Sequence, residues 1–256
     1  MTGFNSAGRI VLAAAIAAIG AASLWFAEYV SGLQPLPADL PGHGAIAFAS
    51  GAALLLCGLG MSWSRTARGA ALSLAALMLL ACAAIHLPVL LQNVRVGYSW
   101  VRLFEPLALA AAALTLAASL GAAKNAAKTI AIGRWLFGIS LPVFAATHFI
   151  YPDIVASLIP AWIPARLFWA YFTGAAHLFA GLAIAGNIMA RWAAILAGAM
   201  YGSWALILHL PRVIADPGNQ GEITSMFMAV ALCGAAWVIA GSAKRSEAGA
   251  PARSYA

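Results

Sequence analysis

The side chains able to move protons or ligate a cofactor near neutral pH are few in this sequence: five histidines, seven Asp and Glu residues and three cysteines. Where they sit is informative. His177 lies within the apolar run from Gly174 to Leu182, Glu28 closes a long apolar segment, and Glu105 follows one turn after Trp100-Val101. An imidazole can act as acid, base or ligand around pH 7. His86 and His209 each begin a His-Leu-Pro triplet, His86-Leu87-Pro88 and His209-Leu210-Pro211. Proline lacks a donor and disfavours helix in the residue before it. Each triplet therefore reads either as a helix end, with His bonding the freed carbonyls, or as a proton carrier or ligand facing a shared vestibule. For His177 a core histidine bonded to a helix carbonyl or hydroxyl is the structural alternative. Neutral imidazole suits zinc, copper, iron or haem. No HxxxH or ExxH pair falls on one helix, so no metal site is assigned. Cys57, Cys82 and Cys233 lie in apolar runs without a CxxC and read as small hydrophobes.

The elements that must position these groups follow from composition. The chain has 256 residues, 64% hydrophobic and 8% charged, with a mean hydropathy of +0.91. A soluble domain is about half apolar and about a quarter charged, so most of this surface meets lipid. Segments near 10–30, 44–61, 68–90, 101–121, 132–151, 167–186, 190–210 and 223–241 are apolar and close to the length needed to span a bilayer. Breaks fall at Gln34-Pro35-Leu36-Pro37, Ser62 to Arg68, Gln92 to Ser99, Lys124 to Lys128, Pro160 and Pro164, and Asp216-Pro217-Gly218-Asn219. The fold class is therefore all-α, a polytopic membrane protein of about eight helices. Arg9 followed by Ile10 to Leu24 imitates a secretory signal, but its counterpart later in the chain favours a retained helix. The net charge of +7 sits at helix ends without a basic stripe, which points to topology and to no nucleic-acid partner.

Shifted by 123 residues, the sequence aligns with itself without a gap from Leu12 to Leu90. Phe26 meets Phe149, Pro37 and Pro41 meet Pro160 and Pro164, and Gly51 and Gly58 meet Gly174 and Gly181. Ala67-Arg68 meets Ala190-Arg191, and the two His-Leu-Pro triplets coincide. The reading is two parallel four-helix repeats: 1–121, a linker at 122–131, the second repeat at 132–243, and a disordered tail at 244–256. Side-by-side bundles related by an axis along the membrane normal are expected, with Gly51, Gly58, Gly174 and Gly181 at close helix contacts. A cytoplasmic N-terminus puts ten Lys and Arg residues inside and four outside. Both termini are then cytoplasmic, at the inner membrane if the host is a bacterium. Six of the seven carboxylates, Glu28, Asp39, Glu105, Asp153, Asp216 and Glu222, then lie at the outer face, with every histidine in that half. Some of these groups are expected simply to be wet. The outer aromatics Phe149, Tyr151, Trp162, Phe168, Trp169, Tyr171 and Phe172 suit an interfacial girdle. They also suit a lateral pocket for a quinone or lipid headgroup, with Arg166 and His148 at its polar end.

In the second repeat, Gly133-Arg134 opens a run to His148-Phe149 and Pro152. Ile159-Pro160-Ala161-Trp162-Ile163-Pro164, Trp169, Thr173-Gly174, Gly181-Leu182 and Arg191-Trp192-Ala193-Ala194 follow. This pattern resembles the DoxX-like family of small four-helix membrane proteins, over about 110 residues from Ile132 to Gly241. The first repeat fits more loosely and has Trp25 where the second has His148. The resemblance implies a tandem duplication of that unit. It also implies a role as a quinone-linked redox or thiol and sulfur-oxidation accessory, with a membrane partner. It carries over no catalytic residues. The outer-face candidates His86, His209, His148, Arg166, His177, Glu28 and Glu105 come from the residues alone. Two other classes fit the pattern. One is a small-solute or proton transporter using Glu28, Glu105 and His177. The other is a scaffold or assembly protein whose outer loops, around Trp162 and Arg166, hold a partner.

Overall fold

A computed structural model of the chain describes residues 3–30, 33, 41–122 and 124–243. Asp39, the prolines at 35 and 37, and the tail at 244–256 lie outside the described residues. Among the described residues, eight helices are long and apolar enough to cross a membrane: α1 (Gly3–Phe26), α2 (His43–Ser62), α3 (Ala67–Gln92), α4 (Gly97–Ser119), α5 (Ala126–Ile150), α7 (Arg166–Ala185), α8 (Ala190–Ala215) and α9 (Gln220–Ser242). A short helix, α6 (Pro152–Leu158), lies between α5 and α7. The chain is an all-α, multi-pass membrane protein. Helices are the natural solution in lipid because each backbone group finds its partner within its own segment.

Several bounds differ from the sequence expectation. The first span starts at Gly3 rather than near residue 10. Arg9 is held inside it, donating from Nη1 to the Met61 carbonyl at 3.0 Å at the end of α2. A guanidinium at a helix C-terminus meets the negative end of the helix dipole and the last free carbonyls. The α6 helix was not expected; Pro152 opens it and Asp153 lies in its first turn, both suited to a helix start.

The His-Leu-Pro triplets do not terminate their helices. In each, one wide π-helical turn precedes the proline, at Cys82–His86 and at Ala205–His209. The Leu87 and Leu210 amides bond to the Cys82 and Ala205 carbonyls, five residues back. That slack accommodates a residue without an N–H, and the helix runs on to Gln92 or Ala215.

The bounds of α7, α8 and α9 lie 123 residues after those of α2, α3 and α4, and so do the π-helical turns. The residues preceding α2 and α7, Gly42 and Ala165, both adopt left-handed backbone, with φ of 77° and 53°. The helices do not sort into two closed bundles of four. The most extensive pairing of α1 is with α9, and α5 packs along both α4 and α7. Two rings result, α9-α1-α2-α3-α4 and α4-α5-α7-α8-α9, which share α4 and α9 at the centre. Small residues permit this closeness. A Cβ on Gly8 would lie 2.8 Å from the Gly234 carbonyl oxygen, where α1 meets α9.

Candidate functional site

The second ring encloses a cluster of rings drawn from three helices. Gly174 sets the approach of α7 to α5, since a Cβ there would lie 2.7 Å from the His148 Cβ. That closeness lets the His148 Nδ1–H donate to the Ala170 carbonyl at 2.9 Å, with the Thr173 hydroxyl at 3.1 Å. One turn deeper, the His177 Nδ1–H donates to the Thr173 carbonyl at 2.9 Å. A carbonyl can only accept, so both imidazoles carry their proton on Nδ1 when neutral. Nε2 is then left as a lone-pair acceptor.

His177 is packed on every side. Its ring centroid lies 5.1 Å from that of His148, 5.4 Å from Tyr201, 5.3 Å from Trp204 and 6.1 Å from Phe144. Trp204 also stacks near-parallel to His148 at 5.9 Å and meets Tyr201 edge-on. His177 and Tyr201 are each 1% exposed. Yet the His177 Nε2 and the Tyr201 hydroxyl have no hydrogen-bond partner among the described residues. Two orphaned polar atoms thus belong to the same ring cluster, an acceptor on α7 and a donor-acceptor on α8.

Glu105 joins this group from α4. Its carboxyl lies within electrostatic range of Tyr201 and of Arg102, one turn earlier on its own helix. It makes no hydrogen bond among the described residues. Pro106 follows it inside the helix, leaving the Arg102 carbonyl without its helical N–H partner. The Arg102 guanidinium lies over the Tyr98 ring at 4.8 Å.

The other candidates fall elsewhere. His86 is buried in the first ring, where its Nε2–H donates to the Leu33 carbonyl at 2.8 Å. It pins the segment after α1. His209 sits 3.3 Å from a Glu222 carboxylate oxygen. Arg212 lies 3.6 Å from the other oxygen of Glu222 and donates to the Leu158 carbonyl. The two His-Leu-Pro histidines therefore have different partners and share no contact among the described residues. Glu28 pairs with His43 at 2.9 Å, and the His43 ring packs against Tyr29 at a tilt of 60°. Arg166 is exposed at the start of α7 and touches no ring of the cluster. The aromatics around it, Trp162, Phe168 and Phe172, point outward, and Phe168 stacks on Phe172.

Gly51 and Gly58 of α2 lie against Gly20-Ser23 and Ala13-Ala17 of α1. Gly181 lies against Gly138 and Pro142 of α5. Sequence reasoning missed Tyr201, Trp204, Phe144 and Thr173. One signal was available: Tyr201 and Trp204 share a helix face at mid-span, well away from the interfacial belt where such residues gather.

A family model described as a domain of unknown function (DUF8561) matches residues 137–208. No curated protein and no solved structure matches the chain. The matched segment runs from α5 into the π-helical turn of α8. It contains Phe144, His148, Thr173, His177, Tyr201 and Trp204, so all of the ring cluster falls inside it, while Glu105 falls outside.

Proposed function

We propose that this chain binds a quinone-like lipid in the His148–His177–Tyr201–Trp204 cluster and serves as an accessory of a membrane redox or sulfur-oxidising system. One observation carries the reading: the His177 Nε2 and the Tyr201 hydroxyl are buried and unpartnered among the described residues, on rings 5.4 Å apart. A buried polar group left unpaired costs about 1–3 kcal/mol. A flat ring bearing two oxygens relieves both. A quinol hydroxyl donates to Nε2 of His177, and the Tyr201 O–H donates to a second oxygen, with Trp204 and Phe144 offering apolar ring surface. The three cysteines are buried and free, so any thiol chemistry belongs to a substrate or partner.

The DoxX-like resemblance supports the quinone assignment. The recurrence of helix bounds at 123 residues supports a tandem duplication. The Lys and Arg distribution supports cytoplasmic termini in a bacterial inner membrane. Cysteines introduced at Thr66 and Asn93 test that orientation. An impermeant thiol reagent applied to intact cells should label Asn93→Cys and spare Thr66→Cys, and the reverse pattern inverts the topology.

The function test begins with protein purified in mild detergent, its spectrum recorded oxidised and then reduced, and its organic extract analysed by mass spectrometry. Bound quinone is expected in the native protein and depleted in His177→Leu. If native protein carries none and a short-chain quinone leaves its Trp fluorescence unquenched, the reading fails. Glu105 favours a second reading, in which Glu105, Tyr201, His177 and His148 pass protons or admit a small solute. Liposome flux unchanged by Glu105→Gln and His177→Ala would remove that one.

A further inference from the structure

A second feature lies on the outside of the helix pair α4–α5, independent of the ring cluster. Between these helices, at the end that carries the histidines, is a cavity of about 410 Å³. Its wall on α5 is apolar, made by Pro142, Val143, Ala146 and Ile150. Ala146 and Ile150 are exposed, so this wall faces the bilayer. From Pro142 to Ile150 the wall runs roughly 12 Å along the helix.

The mouth is of different chemistry. Tyr151 and Trp100 flank it, and Arg95 lies in the turn just before α4. The Tyr151 hydroxyl accepts from the Gly97 N–H at 3.3 Å, tying the first turn of α4 to the end of α5. The Trp100 indole N–H donates to the Val94 carbonyl at 2.9 Å, which fixes that ring along the mouth. Arg95 is exposed and makes no ion pair among the described residues. The N-terminus of α4 adds partial positive charge at the same place. Trp and Tyr mark the interfacial level of a bilayer, so this cationic mouth stands where headgroups lie, above an apolar trough at acyl-chain depth.

We propose that this groove holds one anionic glycerophospholipid, its phosphate at Arg95 and Trp100 and one acyl chain along the Pro142–Ile150 wall of α5. The charge at the mouth is unpaired and positive, which selects an anionic over a zwitterionic headgroup. The occupant is distinct from the quinone-like ligand, because the groove and the ring cluster use different faces of α5: Val143, Ala146 and Thr147 line the one, Phe144 and His148 the other.

The test is native mass spectrometry of detergent-purified protein incubated with phosphatidylglycerol or phosphatidylcholine. Wild type is expected to retain one phosphatidylglycerol in preference to phosphatidylcholine. Arg95→Gln should reduce that preference about fivefold. Arg166→Gln, an exposed arginine at the same end of the molecule but outside the groove, should leave it unchanged. Ala146→Trp, on the exposed wall, should displace the lipid while leaving the melting temperature as it was. Equal retention of the two lipids by wild type overturns the proposal, as does an equal effect of the Arg95 and Arg166 substitutions. These outcomes are separable from the quinone reading, because none of the three substitutions touches the ring cluster.

Discussion

Tyr201→Phe gives the sharpest test of the site, because its two effects have opposite signs. The ring of Tyr201 packs against His177 at 5.4 Å and Trp204 at 5.6 Å, and Phe preserves both contacts. Only the hydroxyl is lost, and it is buried without a partner among the described residues. Leaving such a group unpaired costs about 1–3 kcal/mol, so in lipid-stripped protein the substitution should be neutral to stabilising. For a chain of this size each kcal/mol corresponds to roughly 2–4 °C in melting temperature. Quinone binding should move the other way, weakening by roughly two- to tenfold, the worth of one hydrogen bond. The chain supplies its own reporter. All three cysteines, Cys57, Cys82 and Cys233, are buried and free, so a thiol-reactive fluorophore reads unfolding without labels. Quinone affinity follows from quenching of the chain's Trp fluorescence, with Trp204→Phe removing the part that arises at the cluster. A Tyr201→Phe protein that melts lower after stripping has lost a satisfied hydrogen bond, and the orphaned-pair argument is then wrong. Unchanged quinone affinity refutes it equally.

Gly174→Leu should destabilise the detergent-solubilised protein by about 1–3 kcal/mol or more, the usual cost of overpacking, because even a Cβ would lie 2.7 Å from the His148 Cβ. Unchanged melting and oligomer profiles would count against close α5–α7 contact at that level. Ala165→Gly should stabilise by about 0.5–1 kcal/mol, since Ala165 holds a left-handed φ of 53° that costs an alanine more than a glycine. The reciprocal Gly42→Ala should destabilise, and equal melting of both variants with wild type would refute the backbone assignment.

The number and nature of the helices were legible because a bilayer imposes length and apolarity directly on sequence. Phe137 to His148 and Leu74 to Ile85 carry no charge, and their register as spans follows without tertiary knowledge. Where the helices pack was only half legible. Gly58 and Gly181 mark close contacts whatever the partner helix. Nothing in α1 announces that it lies along α9, since Gly8, Leu12 and Ala15 would suit any small-residue groove. The His-Leu-Pro triplets look alike in sequence and suit either a helix end or a shared vestibule. Their functions parted because the neighbouring residues differ: His209 has Glu222 opposite it, whereas the residue 123 positions before Glu222 is Ser99. His86 has a carbonyl instead. His177 was found for its burial cost, but Tyr201 and Trp204 were hidden because aromatic residues in an apolar span carry no such cost and look like packing.

The two halves of the chain share a scaffold but not a chemistry. At the positions 123 residues earlier, Thr173, His177, Tyr201 and Trp204 are replaced by Ser50, Leu54, Met78 and Ala81. All four line a cavity of 250 Å³ in the first ring, a space with almost no polar surface. His148 is replaced by Trp25, which is 85% exposed and turned away from that cavity. A homodimer of one four-helix unit would carry two identical ring clusters. A duplicated chain is free to keep one and let the other relax to apolar side chains, so long as the central pair α4 and α9 still closes both rings. Glu105 fits this division. It lies in the first half, yet it is within electrostatic range of Tyr201 in the second, and its counterpart 123 residues on is Met228. The polar site is thus built across the join between the halves.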